Sequence, residues 1–351
     1  MAYISFQPSD YFNTKLYTGN GSTQSITGVG FQPDWLWIKN RDGANNHIVQ
    51  DAVRGATKSL ETDGTGAEVT SSTRVTSFDS DGFSIGSAGT NNTNTNNYVS
   101  WNWLANGSGS SNTDGSITST VSANTTSGFS IVKWNADNQN PSTIGHGLGV
   151  APKVIIMKET GGTSNWVVGG FGLDWSGYLL LDTSNTFSND SNDTSGTGRM
   201  FSQGGNEPTS TVWYTNSGAI ASQNGTAMIA YCFAEKKGYS KFSSFIGNGS
   251  ADGTFVFLGF RPAFIMLKDS STAYDWMIFD NKRNGYNPDN DDLEPSNTSA
   301  ESNTDKLDIL SNGFKLRKAD ADANTSGDTF IYMAFAEAPL VGSNNIPCTA
   351  R

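Results

Sequence analysis

The stretch that decides the fold is Gly30–Lys39, with the sequence GFQPDWLWIK. Its glycine permits a turn, and its proline fixes the entry into an extended segment. Four apolar residues follow and end at a lysine. A short apolar run bounded by turn signals is typical of a strand buried on both faces. We therefore predict a buried strand that ends at Lys39, where the charged side chain acts as a stop.

The same phrase occurs twice more, at Gly149–Lys158 (GVAPKVIIMK) and Gly259–Lys268 (GFRPAFIMLK). In each copy, Gly stands three residues before Pro and Lys six residues after it. Fixed spacing of this kind indicates duplicated structural units. The sequence therefore predicts three diverged copies of one β-rich module.

Two further segments recur in the copies. Eight residues beyond each lysine, a second apolar segment begins at His47, Trp166 or Trp276, which predicts a hairpin and makes His47 a packing residue. Each copy then closes with a segment in which large residues alternate with small or polar ones. This alternation predicts a strand with one buried face. The closing segments are Tyr98–Ala105, Met228–Glu235 and Ile331–Glu337.

The composition is typical of an all-β protein. The 351 residues include 39 glycines and 11% aromatic residues, which indicates large buried side chains on short strands joined by polar turns. We predict three tandem β-sandwich modules, either jelly-roll or lectin-like. The predicted ranges are 1–111 for an N-terminal arm and module 1, 112–238 for module 2, and 239–351 for module 3 and a C-terminal tail. Residues 1–12 and 341–351 lack the module pattern and are predicted to be arms that reach a neighbouring subunit.

Charge and cysteine content exclude several functional classes. The net charge of −11, without any basic cluster, argues against a nucleic-acid partner. The sequence contains no run of 18 apolar residues, so no membrane span is predicted. The N-terminal residues lack the pattern of a secretory signal. Cys232 and Cys348 have neither disulfide nor metal-binding spacing, and Cys232 is predicted to be a buried free thiol.

Motifs that suggest chemistry have simpler interpretations here. Gly82–Gly86 matches the G-x-S-x-G nucleophile elbow, but the residues after it cannot start a helix. The third copy has GFKLR at the same place, so we interpret the motif as the start of a strand and predict no catalytic residue and no cofactor. An acidic cluster offers hard oxygen ligands for Ca²⁺, yet it departs from the EF-hand pattern, and solvated loop acids are the favoured interpretation. The cluster consists of Asp289, Asp291, Asp292 and Glu294.

Aromatic residues outside the repeated phrases are the candidates for contact with a ligand or another subunit. At a surface, such rings stack on sugars or anchor protein interfaces. The alternative is that they are core residues, because large aromatic side chains are usually mostly buried. The candidates are Trp175, Tyr178, Trp213, Tyr214, Tyr274 and Tyr286.

Several phrases also carry a resemblance to a known family. They are FQPDWLWIKNR at 31–41, DAVRGATK at 51–58, IAYCFAE at 229–235, GNGSADG at 247–253, FRPAF at 260–264, and YMAFAE at 332–337 with GSNN after it. In combination they resemble a repeat-containing family of structural proteins of tailed bacteriophages, common among phages of marine bacteria. The resemblance covers nearly the whole chain and brings no catalytic residues with it.

The resemblance implies a place in the virion, as a tail fibre, an appendage or a capsid-surface protein assembled in the host cytoplasm. It also implies contacts with other virion proteins through the terminal arms and a homo-oligomer, with a trimer expected from the usual assembly of phage fibres. Two non-enzymatic roles stay open, namely recognition of a host-surface glycan and a purely structural decoration or cement role. A polysaccharide depolymerase is a weaker alternative, because it needs two carboxylates about 5 to 10 Å apart in a groove.

Overall fold

The structure is a computed structural model that describes residues 6–137, 142–189, 200–202, 206–215, 225–283, 287–288, 290–341 and 348–349. Within these residues the chain forms antiparallel sheets, and the only helical pieces are three short ones, which confirms the predicted all-β class. These pieces are a 3₁₀ turn at Pro8–Asp10, α1 at Gly89–Asn92 and α2 at Ala321–Asn324.

Module 1 consists of two sheets. Its inner sheet has the order β1-β9-β3-β4-β5-β6, and its outer sheet has the order β2-β8-β7. The strands are β1 (Phe12–Thr18), β2 (Gln24–Thr27), β3 (Trp35–Asn40), β4 (Ile48–Asp51), β5 (Lys58–Glu61), β6 (Val69–Thr70), β7 (Val75–Asp79), β8 (Gly82–Ile85) and β9 (Asn97–Trp103). The G-x-S-x-G motif begins as strand β8, as predicted. The prediction that the residues after it cannot start a helix is wrong, because the one-turn α1 begins at Gly89.

Module 2 repeats the inner sheet and extends it at one edge, where β10 begins at Ser110, two residues before the predicted start of the module. Its order is β10-β11-β12-β19-β14-β15-β16-β17, and the outer sheet is the pair β13-β18. The strands are β10 (Ser110–Asn112), β11 (Ser119–Asn124), β12 (Phe129–Asn135), β13 (Ser142–Gly145), β14 (Val154–Glu159), β15 (Val167–Gly170), β16 (Gly177–Leu180), β17 (Ser188–Asn189), β18 (Val212–Thr215) and β19 (Ala227–Phe233).

Module 3 has the inner sheet β20-β26-β22-β23 and the outer sheet β21-β25-β24. In all three modules, the closing strand lies between the opening strand and the strand of the repeated phrase, which pairs with the predicted hairpin partner. The strands are β20 (Ser240–Ile246), β21 (Phe255–Phe257), β22 (Phe260–Asp269), β23 (Met277–Asp280), β24 (Leu307–Leu310), β25 (Gly313–Leu316) and β26 (Thr329–Pro339).

The central strands of each inner sheet are buried on both faces. One face packs on the outer sheet of its own module, as Leu36 and Ile38 pack with Ile26 and Phe83 in module 1. The opposite faces of all three inner sheets meet in one shared core, which we call the central core. The predicted buried strands of the repeated phrase are thereby confirmed. The central core includes Trp35, Trp37, Trp101, Trp103, Ile156, Trp166, Tyr231, Phe233, Phe264, Trp276, Met333 and Phe335.

The central core corrects two of the sequence-based predictions. The closing strands were predicted to bury one face, but β9, β19 and β26 lie inside their sheets between two cores, so both faces are buried. The lysine at the end of each phrase was predicted to be a charged stop, yet Lys39, Lys158 and Lys268 are all buried. Burial of Cys232 as a free thiol is confirmed.

The N-terminal arm is also corrected for the residues that the structure describes. Phe6 packs edge-to-face on Tyr11 and Tyr239, and Phe12 lies in the central core. Residues 6–12 are therefore part of the fold of their own chain. In the tail, the carbonyl of Thr349 accepts a hydrogen bond from Arg261, while residues 1–5, 342–347 and 350–351 lie outside the described residues.

Candidate functional site

Contacts between the modules repeat in a closed cycle. The Trp166 indole of module 2 donates a 2.8 Å hydrogen bond from Nε1 to the carbonyl of Glu61 in module 1. The Trp276 indole of module 3 donates an equivalent 2.8 Å bond to the carbonyl of Leu180 in module 2. A buried indole N–H needs such an acceptor. Each of these rings therefore joins one module to the one before it.

His47 occupies the third position of this cycle. Its Nδ1 accepts a 3.1 Å hydrogen bond from the Trp37 indole, so the neutral ring carries its proton on Nε2. Burial lowers the pKa of His47 well below its usual value, and the backbone carbonyl of Glu294 in module 3 opposes that shift. His47 is therefore a neutral, buried ring, as expected of the packing residue that the repeat predicts at this position.

The three buried lysines follow the same cycle. Each ammonium bonds the carbonyl of the next residue and one carbonyl of another module. Lys158 reaches Thr65 at 3.2 Å, Lys268 reaches Ser184 at 3.3 Å, and Lys39 reaches Thr298 at 3.2 Å. Burial lowers the pKa of each lysine to about 8. The lysines therefore tie the modules together through backbone carbonyls.

These lysines predict an unusual dependence of stability on pH. Between pH of about 8 and 10.5, the folded state releases protons that the unfolded chain keeps, so the free energy of unfolding should rise with pH. Each lysine contributes at most about 1.4 kcal/mol per pH unit. Burial raises the pKa of Tyr17, Tyr231 and Tyr239 well above 10.0, which reverses the trend at higher pH. Urea unfolding measured at pH 7.5, 8.5, 9.5 and 11 checks the expected maximum.

The matched control replaces all three lysines by methionine, which keeps the length of the side chain without the charge. This variant should lose the rise above pH 8 while keeping the fall above pH 10. A rise of the same size in the variant would assign the effect to other groups.

Two of the three junctions contain a buried charge cluster. At the junction of modules 1 and 2, Asp51 pairs with Arg54 and accepts a 2.8 Å hydrogen bond from the Tyr231 hydroxyl, while Arg54 also contacts Glu68 at 3.2 Å. The junction of modules 3 and 1 repeats the arrangement. There Asp280 pairs with Arg283 and accepts a 3.0 Å bond from the Trp101 indole, and Glu301 contacts Arg283 at 3.0 Å.

The junction of modules 2 and 3 lacks this cluster. The register of the strands places Gly170 and Phe187 where the other junctions have Asp and Glu. Leu173 stands three residues after Gly170, as each Arg does after its Asp. The facing residue on the closing strand is Met333, which has no donor to offer. Leu173 and Phe187 pack against the central core. The change from charged to apolar residues makes this junction different from its two counterparts.

A pocket of about 520 Å³ opens at the same junction. It is lined by Tyr178 on β16, by the segment 185–189 of module 2 and by Ala273 of module 3. Among the residues that the structure describes, the lining carries amide and hydroxyl groups but no charged side chain. Its residues are Tyr178, Leu180, Asn185, Thr186, Phe187, Ser188, Asn189 and Ala273.

The structure separates the aromatic candidates into two groups. Trp175 and Trp213 are core residues, because Trp175 packs edge-to-face on Phe201 and Trp213 packs on Trp134 inside module 2. Tyr178, Tyr214 and Tyr274 are half-buried, and Tyr178 alone among the candidates in the described residues lines the pocket. Tyr286 lies outside the described residues.

The acidic cluster does not converge on a common point. Asp292 pairs with Lys306 at 3.4 Å and accepts a 2.6 Å hydrogen bond from Thr304, while Glu294 accepts from Asn297. Asp291 and Asp292 are buried, so the interpretation as solvated loop acids is wrong for these two residues. Asp289 lies outside the described residues. Within the described part of the chain, no group of three or more His, Cys, Asp or Glu residues is arranged to hold a metal ion.

Comparison with known proteins adds the family. A family model described as a domain of unknown function, DUF7483, matches residues 7–339. Searches of curated proteins and of solved structures found no match to the chain. Across the residues that the structure describes, no helix is long and apolar enough to cross a membrane. The match spans all three modules, and the chain therefore belongs to the DUF7483 family.

Proposed function

We propose that the protein is a non-enzymatic surface protein of a bacteriophage virion that recognises a host-surface glycan through the Tyr178 pocket. The resemblance of the repeated phrases to structural proteins of tailed phages supports the virion location, as a tail fibre, an appendage or a capsid-surface protein. The pocket supports the glycan. It combines two aromatic side chains, Tyr178 and Phe187, with uncharged amides and hydroxyls, which is the chemistry that a neutral sugar requires.

The observation that carries this proposal is the difference between the junctions. Two junctions are closed by buried Asp–Arg–Glu clusters, while the third has Phe187 in place of the glutamate and opens a pocket beside it. Because buried ion pairs and apolar residues of similar size contribute about equally, stability alone does not decide which junction departs. A binding role accounts for a departure at the junction where the pocket opens. Many copies on a particle would add avidity to a weak site.

The test uses labelled full-length protein, incubated with susceptible host cells and with resistant mutants. We expect saturable staining of susceptible cells only. Replacing Tyr178 or the exposed Asn185 by alanine should reduce binding at least tenfold, because each removes a group that lines the pocket. The matched control is Tyr214→Ala, which removes a half-buried tyrosine on β18 that is not among the residues lining the pocket.

Two outcomes would contradict the proposal. Equal staining of susceptible and resistant cells would exclude a receptor. Staining of susceptible cells that survives both pocket substitutions would place the receptor site elsewhere on the protein. If neither cell type is stained while the protein stays folded, the structural decoration or cement role becomes the leading alternative.

A further inference from the structure

An exposed apolar patch lies on module 3, away from the Tyr178 pocket. It consists of Ile246 at the end of β20 and of Phe255 and Phe257 on β21, which are 55%, 44% and 52% exposed. The two strands belong to different sheets, but their ends meet, because the hydroxyl of Thr254, directly before β21, donates a 3.0 Å hydrogen bond to the carbonyl of Ile246. We call these three residues the edge patch. Contiguous exposed apolar groups on a soluble protein commonly mark an interaction surface.

The other modules show that the fold does not need apolar residues there. The strand registers equate Ile246, Phe255 and Phe257 with polar or small residues in both other copies. In module 1, the Ser25 hydroxyl bonds that of Ser84 at 3.0 Å on the corresponding face. The equivalent residues are Thr18, Ser25 and Thr27 in module 1 and Asn135, Thr143 and Gly145 in module 2.

The edges of β20 and β21 are also open. Each strand is the last in its sheet, and no further strand in the described residues pairs with either. In module 2 the chain covers the corresponding edges itself, with β11 on β12 and a bridge from Ile117 to Ile144 on β13. That cover comes from the long connection between modules 1 and 2. The connection from β19 to β20 is too short to fold back in the same way, so module 3 exposes unpaired strand edges.

The charges beside the patch favour a second copy of the same chain. The Lys241 ammonium donates a 2.7 Å hydrogen bond to the carbonyl of Phe257, at one end of β21, and lies 5.7 Å from the ring centre of that residue. Asp252 precedes the other end and keeps 87% of its side chain exposed although it pairs with Lys315. Antiparallel pairing of two β21 strands brings the lysine end of one copy against the aspartate end of the other. The surface is therefore complementary to itself about a two-fold axis.

We propose that two copies of the chain associate antiparallel through this edge, with the edge patches in contact and Lys241 of each copy facing Asp252 of the other. Strand addition at an open edge supplies backbone hydrogen bonds, and the patch supplies the apolar contact. This dimer goes beyond the proposed glycan recognition and does not depend on it. The trimer expected from the phage resemblance stays a separate prediction.

Sedimentation equilibrium of the full chain at about 1 to 100 µM tests the dimer, since interfaces of modest size commonly have dissociation constants in the micromolar range. The wild type should dimerise. A variant with the module 1 residues, Ile246→Thr, Phe255→Ser and Phe257→Thr, should remain monomeric over the same range. The matched control replaces exposed valines outside the patch, Val69→Thr and Val150→Thr, and should dimerise like the wild type.

Charge reversal tests the orientation of the two copies. Lys241→Glu and Asp252→Lys should each weaken the dimer at least tenfold, because each creates like charges at both contacts. An equimolar mixture of the two variants should recover dimers, since both contacts are then of opposite charge. A monomeric wild type, a trimer, association unaffected by the triple substitution, or a mixture that stays monomeric would each overturn the proposal.

Discussion

Replacing Arg54 with leucine is expected to lower the free energy of unfolding by about 3 to 5 kcal/mol. The Arg54 and Asp51 side chains are almost entirely buried, at 1% and 0% exposure. Removal of the guanidinium leaves the Asp51 carboxylate without a cation in a medium that solvates charge poorly. The Tyr231 hydroxyl and the backbone N–H of residue 54 still donate to it, but neither carries a charge. Urea unfolding monitored by tryptophan fluorescence measures the loss.

Two further variants separate the lost charge pair from a general effect of the substitution. Arg317→Leu removes an arginine that also pairs with a carboxylate, Asp308, but is 40% exposed, and should cost less than about 1 kcal/mol. Adding Asp51→Asn to Arg54→Leu should restore part of the loss, because the buried charge is then gone. An equal cost for Arg54→Leu and Arg317→Leu would show that the buried pair contributes no more than a surface pair.

The junction of modules 2 and 3 explains why leucine is the informative replacement. Leu173 occupies the position of Arg54 there, with Gly170 in place of the aspartate and Met333 in place of the tyrosine. Each junction thus has both the aspartate acceptor and the aromatic donor on the closing strand, or it has neither. Buried ion pairs commonly contribute little net stability when compared with apolar residues of similar size. The two solutions can therefore coexist in one chain without a large difference in stability.

The repeated phrase was enough to predict the strands, because its information is local. An apolar run between a glycine–proline start and a lysine defines β3, β14 and β22, and the spacing to His47, Trp166 and Trp276 defines their hairpin partners. The burial of the lysines was not predictable in this way. Their acceptors at Thr65, Ser184 and Thr298 belong to other modules and carry no side-chain signal, because the bonds go to backbone carbonyls.

The candidate site shows the same limit. Tyr178 was identified as an aromatic residue outside the repeats, but composition alone does not separate it from Trp175 and Trp213, which fill the module 2 core. What distinguishes the pocket is Phe187 at a position that holds glutamate in the other copies. That signal was present in the sequence, yet the alignment of the loops becomes visible only through the strand register.

Replacing Trp35 with alanine is expected to destabilise the whole chain by about 3 to 5 kcal/mol, the usual cost of removing a large buried aromatic side chain. The Trp35 ring lies 4.4 Å from that of Trp103 in its own module and 4.5 Å from that of Tyr231 in module 2. Phe12 stacks on Phe335 of module 3 at 5.4 Å, so aromatic contacts join all three modules. Because the inner sheets share one core, we expect a single unfolding transition rather than three.

Hydrogen exchange measured peptide by peptide distinguishes a single unfolding transition of the whole chain from separate transitions of the three modules. If the modules unfold together, Trp35→Ala should lower the protection of β19 and β26 as much as that of β9, since all three strands are then exposed in the same global event. Trp35→Phe is the matched control and should lower the protection of these strands much less, because an aromatic ring still contacts Tyr231. Faster exchange confined to module 1 would show that each module holds its own fold, and that the central core joins domains that unfold separately.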